Sequence, residues 1–268
     1  MNRREFTGSA LRGILGLAAI SGITYQGRAI QQAAGDIPRV DLHAHLAGPN
    51  APTPAEATAL SQKLGVRFGV AGEGAEDKGV IAFLERMEGQ PVWRGLQVRV
   101  SSEWRKNISA QALARIDYIL SDGLTFPDNG RVIPIWSTKE TFADPQEFMD
   151  RYVEHNLRVL AQPIQIWASA TLLPASLKDR YDELWTPQRM DRLIQAAAKN
   201  NIAIEINSRW ETPKAGFIRR AKAAGAKFSI GTDQHGAEIG QIEYSLRVAK
   251  ECGLTAADFF IPSREIGK

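Results

Sequence analysis

The chain has 268 residues, a formal net charge of +3 and one cysteine, Cys252. A lone cysteine excludes an intramolecular disulfide framework and any cysteine-rich zinc site. Arg3, Arg4, Arg12 and Arg28 against Glu5 account for the whole surplus charge, so the remainder is neutral and the basic balance is no sign of a nucleic-acid-binding surface.

Residues 1 to 29 read as a targeting segment. Asn2-Arg3-Arg4-Glu5-Phe6 resembles the twin-arginine (Tat) signal family, in which paired arginines and an apolar residue precede a moderately apolar core. Thr7 departs from that pattern, since a strongly apolar residue usually follows. Here the core runs from Ile14 to Ile23, well short of the ~20 residues that a permanent membrane helix needs. The resemblance implies export through the Tat translocase to the periplasm or beyond, as a chain already folded, often around a cofactor. Gly27-Arg28-Ala29 offers small residues for cleavage, with Ala33 and Ala34 as later options.

Residues 30 to 268 suffice for one core, and no low-complexity linker divides them. Strand-like runs fall near 39 to 44, 66 to 71, 95 to 100, 117 to 121, 164 to 169, 202 to 207 and 227 to 232. Between them, helices are predicted over 54 to 64, 77 to 88, 109 to 115, 145 to 161, 187 to 200, 213 to 224 and 239 to 252. Thr53-Pro54-Ala55-Glu56 and Asp144-Pro145-Gln146-Glu147 each supply a cap, a proline at the first helical position and a glutamate at the third. Thr186-Pro187 and Thr212-Pro213 supply the first two of these. The alternation predicts an α/β fold with parallel strands, closed as a distorted seven-fold TIM-like barrel. An open dinucleotide-binding sheet is disfavoured, because the first strand runs into His-x-His and no Gly-x-Gly-x-x-Gly turn is present. The stretch 122 to 143, with Pro127 and Asn129-Gly130, reads as an added hairpin or lid beside the barrel mouth.

Three of the four histidines lie in two short clusters at strand ends, Asp41-Leu42-His43-Ala44-His45 and Asp233-Gln234-His235. Side chains two apart on a strand share a face, so His43 aims with His45 and Asp233 with His235. Imidazoles plus a carboxylate suit zinc, manganese or iron, and the C-terminal mouth of a barrel is where two distant strand ends meet. Asp41 is expected to orient an imidazole from behind the site. His155 shares a helical stripe with Phe148, Tyr152 and Val159 and reads as a core residue.

The motifs Val40-Asp41-Leu42-His43-Ala44-His45, Ile204-Glu205-Ile206-Asn207-Ser208 and Phe228-Ser229-Ile230-Gly231-Thr232-Asp233-Gln234-His235 together resemble those of the PHP (polymerase and histidinol phosphatase) family. The resemblance implies a distorted seven-stranded barrel, a cluster of up to three divalent metals and hydrolysis of phosphate esters. The chain also departs from the family. Gly72-Glu73-Gly74 stands for a Thr-Asp-His triplet, Gln97 for a metal-bridging glutamate, and the fourth and fifth strands end without their usual histidines. The reduced set implies one ion, or two if carboxylates fill in, with His43, His45, Glu73, Asp233 and His235 as ligands. Asp122, Glu103 and Glu205 are further candidate carboxylates, Glu205 being alternatively an internal salt-bridge partner of Arg209.

The expected function is an exported, metal-dependent phosphoesterase acting on a small-molecule substrate, with Glu73 or Asp233 taking a proton from a metal-bound water and Arg209 meeting the phosphate. Arg105, Lys106 and Lys139 are weaker cationic candidates. Trp104, Trp136, Trp167 and Trp210 fall at or just beyond predicted strand ends and would suit a sugar, a nucleobase or another flat ligand, with buried packing as the alternative for each. Two rivals stand beside it: an amidohydrolase-type amide or lactone hydrolase, and a non-catalytic ligand-binding barrel. No nucleic-acid partner and no permanent membrane span are expected.

Overall fold

The structure is a computed structural model describing residues 35–48, 50–100, 103–128 and 130–266. The targeting segment read at 1 to 29 lies outside them. Nine strands are described, β1 (Val40–Ala44), β2 (Arg67–Glu73), β3 (Trp93–Val98), β4 (Tyr118–Asp122), β5 (Thr125–Asp128), β6 (Arg131–Pro134), β7 (Ile166–Ala168), β8 (Ala203–Asn207) and β9 (Phe228–Gly231). Seven form one parallel sheet in the order β1-β2-β3-β4-β7-β8-β9, and β5 and β6 form an antiparallel hairpin. The sheet curls until its two edges meet. Asp233 N donates to His43 O at 2.7 Å, His45 N donates to Gln234 O at 2.8 Å, and Ala44 bridges Gln234 in parallel. The architecture is therefore an α/β, nearly closed TIM-like barrel of seven strands, with helices outside.

The helices start where the sequence supplies partners for their unpaired N–H groups. Thr53 and Glu56 form a reciprocal capping box around Pro54 at the head of α1 (Pro54–Leu64), and Gly65, at φ 63°, ends it in the left-handed region. After α2 (Asp77–Arg86) come two short turns, α3 (Trp104–Asn107) and α4 (Ala110–Leu113), where one helix was expected. Asp144 accepts from Gln146 N and Glu147 N to start α5 (Pro145–Leu160). A 3-10 turn over Ala175–Arg180 and the short α6 (Tyr181–Leu184) were not anticipated, and they precede α7 (Pro187–Lys199), capped by Thr186.

Two predicted helix starts move. Thr212 is held in a bridge with Asn207, its N–H and C=O both paired, so Thr212-Pro213 caps nothing and α8 (Ala215–Ala223) begins later. Likewise α9 (Glu243–Glu251) starts after its expected residue 239, because Gly240 N is turned inward to donate to Asp41 Oδ2 at 2.8 Å.

The core is continuous from the barrel interior to the helix layer. On α5, Phe148, Tyr152, His155 and Val159 are buried along one stripe, as the helical period predicts. Among the described residues, no helix is long and apolar enough to cross a membrane.

Candidate metal centre

The meeting of β1 with β9 brings the two histidine clusters together. His43 and His45 are buried, with ring centroids 5.1 Å apart, and His235 stacks on His45 at 4.3 Å with a 10° interplanar angle. Asp233 Oδ1 lies 3.5 Å from His43 Nε2, 3.6 Å from His45 Nε2 and 3.8 Å from His235 Nε2. One carboxylate oxygen is thus the common neighbour of three imidazoles.

The imidazoles are oriented by their other nitrogens. His43 Nδ1 lies 2.8 Å from Glu205 Oε1, and His45 Nδ1 lies 2.9 Å from the Ala71 carbonyl. A carbonyl only accepts, so His45 Nδ1 carries the proton and Nε2 presents a lone pair. That Nε2 is buried and has no hydrogen-bond partner. Donation from His43 Nδ1 to the Glu205 carboxylate turns its Nε2 into the site, where Gln97 Oε1 stands 3.4 Å away and where an ion would take the place of the proton.

Glu205 is held in turn by Ser169 N at 2.6 Å and Asn207 Nδ2 at 2.9 Å. It makes no salt bridge with Arg209, the alternative weighed from the sequence. Gly231 makes this arrangement possible, since a Cβ there would collide with Glu205 Oε1 and the Cβ of His43.

Asp41 does not orient an imidazole as expected. Its Oδ1 accepts from His43 N and Thr232 N, and its Oδ2 from Thr232 Oγ1 and Gly240 N, at 2.6 to 3.1 Å. With three of its four donors supplied by the segment after β9, Asp41 fixes the backbone that carries Asp233. Asp233 itself sits at φ 52°, a left-handed conformation that an L-residue keeps only when its surroundings impose it. Trp210 Nε1 donates to its Oδ2 at 3.0 Å and Arg209 Nη1 to its backbone O at 2.5 Å. Oδ1 is thereby the oxygen turned to the histidines.

Electrostatics say that the site seeks positive charge. Burial alone would depress the His43 imidazole, but the carboxylates of Glu205, Asp233 and Asp122 outweigh it and hold its pKa at about 10. Burial would raise Asp233, yet the neighbouring His43 and His45 and the Trp210 N–H bring it down to about 2. Asp122 is raised, chiefly by burial, and accepts from Gln97 Nε2 at 2.6 Å and Leu124 N at 2.9 Å.

These residues fit a metal ion. Ligand atoms ~2.1 Å from a tetrahedral ion stand about 3.4 Å apart, and the Nε2–Oδ1 separations of 3.5 and 3.6 Å match that spacing, being too long for good hydrogen bonds. His43, His45 and Asp233 form one buried group able to hold an ion, and His45, Glu73 and His235 form a second, more exposed one. His45 belongs to both, but its Nδ1 is tied to Ala71.

Above the ligands opens a cleft of about 860 Å³. Glu73, Asp122, Arg209, Asp233 and His235 line it, as do Gln97, Trp136 and Trp210. Glu73 is 55% exposed and its Oε1 stands 3.9 Å from His45 Nδ1. Other sequence candidates lie elsewhere: Glu103 pairs with Lys106 on the surface, and Arg105, Lys106 and Lys139 do not line the cleft. Trp104 and Trp167 are core residues, Trp167 donating to Asn156 Oδ1 at 3.0 Å. Arg99, which the sequence reading passed over, does line it. It stands two residues after Gln97, the same-face spacing that had marked His43 and His45.

No protein-family model matches the chain, and comparison with curated proteins finds no match.

Proposed function

We propose that the protein is a metal-dependent hydrolase of phosphate esters, built on the PHP plan with a reduced ligand set. One observation carries the metal reading: two buried imidazoles, each with Nδ1 facing an acceptor, converge through Nε2 on a single carboxylate oxygen. His43, His45 and Asp233 would hold a divalent zinc, manganese or iron ion, with His235 and Glu73 completing its surroundings or receiving a second. When bound, such an ion supplies a water of lowered pKa and polarises the ester oxygen.

The remaining work falls to side chains of the cleft. Glu73 is the half-exposed carboxylate beside His45 and accepts the attacking water's proton. Arg209 and Arg99 line the same space and favour an anionic substrate group over a neutral amide or lactone. Arg209 spends one donor on the Asp233 carbonyl and lays its guanidinium over the Trp210 ring, and its remaining N–H groups are the ones to meet the ligand. Glu205, Ser169 N and Asn207 keep the His43 ring fixed, so that no reorganisation is needed when charge develops. The order of the three motifs supports the PHP assignment, and the twin-arginine-like leader supports a chain exported with its site already assembled.

Metal analysis of the purified protein, followed by a panel of phosphomonoesters, phosphodiesters and lactones, tests this. Stoichiometric metal that is lost in the His43→Ala, His45→Ala variant, with turnover of phosphate esters, is the expected result. A protein that neither holds nor takes up metal, or one that hydrolyses lactones alone, overturns it.

A further inference from the structure

The cleft is lined by two guanidinium groups, Arg99 and Arg209, and two indoles, Trp136 and Trp210. The indoles are not equivalent. Trp210 is already engaged, its ring covered by the Arg209 guanidinium at 4.4 Å and its Nε1 bound to Asp233. Trp136 is 48% exposed, and among the described residues its indole has no ring, cation or hydrogen-bond partner.

That exposure is built in rather than loose. Trp136 follows β6, whose Ile133 is fully buried, as is the adjoining Ile135. Ile135 N donates to Leu124 O and Ser137 N to Pro134 O, both at 2.8 Å. The hairpin therefore holds an open aromatic face at the cleft, where covering it would release apolar surface from water.

What covers it follows from the rest of the lining. A sugar or polyol would bring several hydroxyls, yet Glu73, Asp233, His235, Arg99 and Arg209 are assigned to the ion and the phosphate, and Gln97 donates to Asp122, which leaves Thr125. Leu124 and Ala75 add apolar surface instead. Hydroxyls taken out of water without partners cost free energy, whereas a planar ring brings none.

We propose that the substrate is an aryl or heteroaryl phosphate ester whose ring stacks on Trp136 while its phosphate meets Arg99, Arg209 and the ligand cluster. This rests on the phosphoesterase reading and makes Trp136 its specificity-determining residue. The test uses metal-loaded protein and two probes that cannot be hydrolysed, phenylphosphonate and methylphosphonate, titrated calorimetrically. Phenylphosphonate binds about tenfold more tightly, the order that one stacking contact supplies. Trp136→Ala abolishes the difference without changing methylphosphonate affinity, and Trp136→Phe restores most of it. Equal binding of the two probes by the wild-type protein, or a preference that survives Trp136→Ala, overturns the inference and leaves the phosphoesterase reading standing. Binding of neither phosphonate overturns both.

Discussion

His43 Nδ1 and Glu205 Oε1 stand 2.8 Å apart, both buried, and that contact joins the first barrel strand to the sixth strand of the seven-stranded sheet. Glu205 sets which nitrogen of His43 is free to act as a ligand. Glu205→Gln keeps the shape but loses the charge that favours an Nδ1–H donor. Metal affinity, measured by competition with a chromogenic chelator, falls about 10- to 100-fold. Unchanged affinity would show that His43 is oriented by something else.

Removing the ion tests whether the cluster binds one tightly. A ligand bound only by the native state stabilises it by about 2.7 kcal/mol at a hundredfold excess over Kd. Dialysis against a chelator therefore lowers the Tm of the wild-type protein, and returning zinc or manganese restores it. In His45→Ala the buried Nε2 is lost, and the melting curve no longer responds to either treatment.

Asp41 is predicted to matter for folding and not for ligation. Four donors converge on its buried carboxylate. Asp41→Ala leaves Thr232 and Gly240 donors without partners, at a cost of about 3 kcal/mol or more, visible as a lower urea midpoint. At low temperature, where the variant is still folded, it retains metal at the wild-type stoichiometry. Loss of the ion from a fully folded Asp41→Ala protein contradicts this division of roles.

His155 makes stability pH-dependent on the acid side. Burial, with Arg158 nearby, depresses its pKa to about 4, and neither ring nitrogen has a hydrogen-bond partner. Between pH 6.5 and about 4 the unfolded chain binds the proton and the native one does not. Stability is therefore complete above pH 6.5 and is lost as pH falls, by about 3 kcal/mol once the native histidine protonates. His155→Leu flattens that part of a stability-versus-pH curve. An unaltered slope assigns the acid lability to another group.

Much of this was legible in the sequence, because strand and helix periods are local. The seven parallel strands and the starts of α1, α5 and α7 follow from apolar runs and capping residues. His43 with His45, and Asp233 with His235, declare a shared face through two-residue spacing. What stayed hidden were partners set by the third dimension. Nothing near Glu205 announces that it faces His43 rather than Arg209, since that contact depends on how β8 sits against β9 and β1. Asp41 looked like a support for an imidazole, but three of its four donors come from a segment far along the chain. Thr212-Pro213 carries a helix-start signal that is overridden by the Asn207 bridge.

The seam between β1 and β9 has a consequence for the order of assembly. His43, His45 and Asp233 sit at the ends of the first and last strands of the barrel, so no fragment ending before β9 possesses the complete grip. A ribosome-bound chain would remain blind to metal until its final barrel strand had docked. Once bound, the ion would act as a clasp, tying the beginning of the barrel to its end.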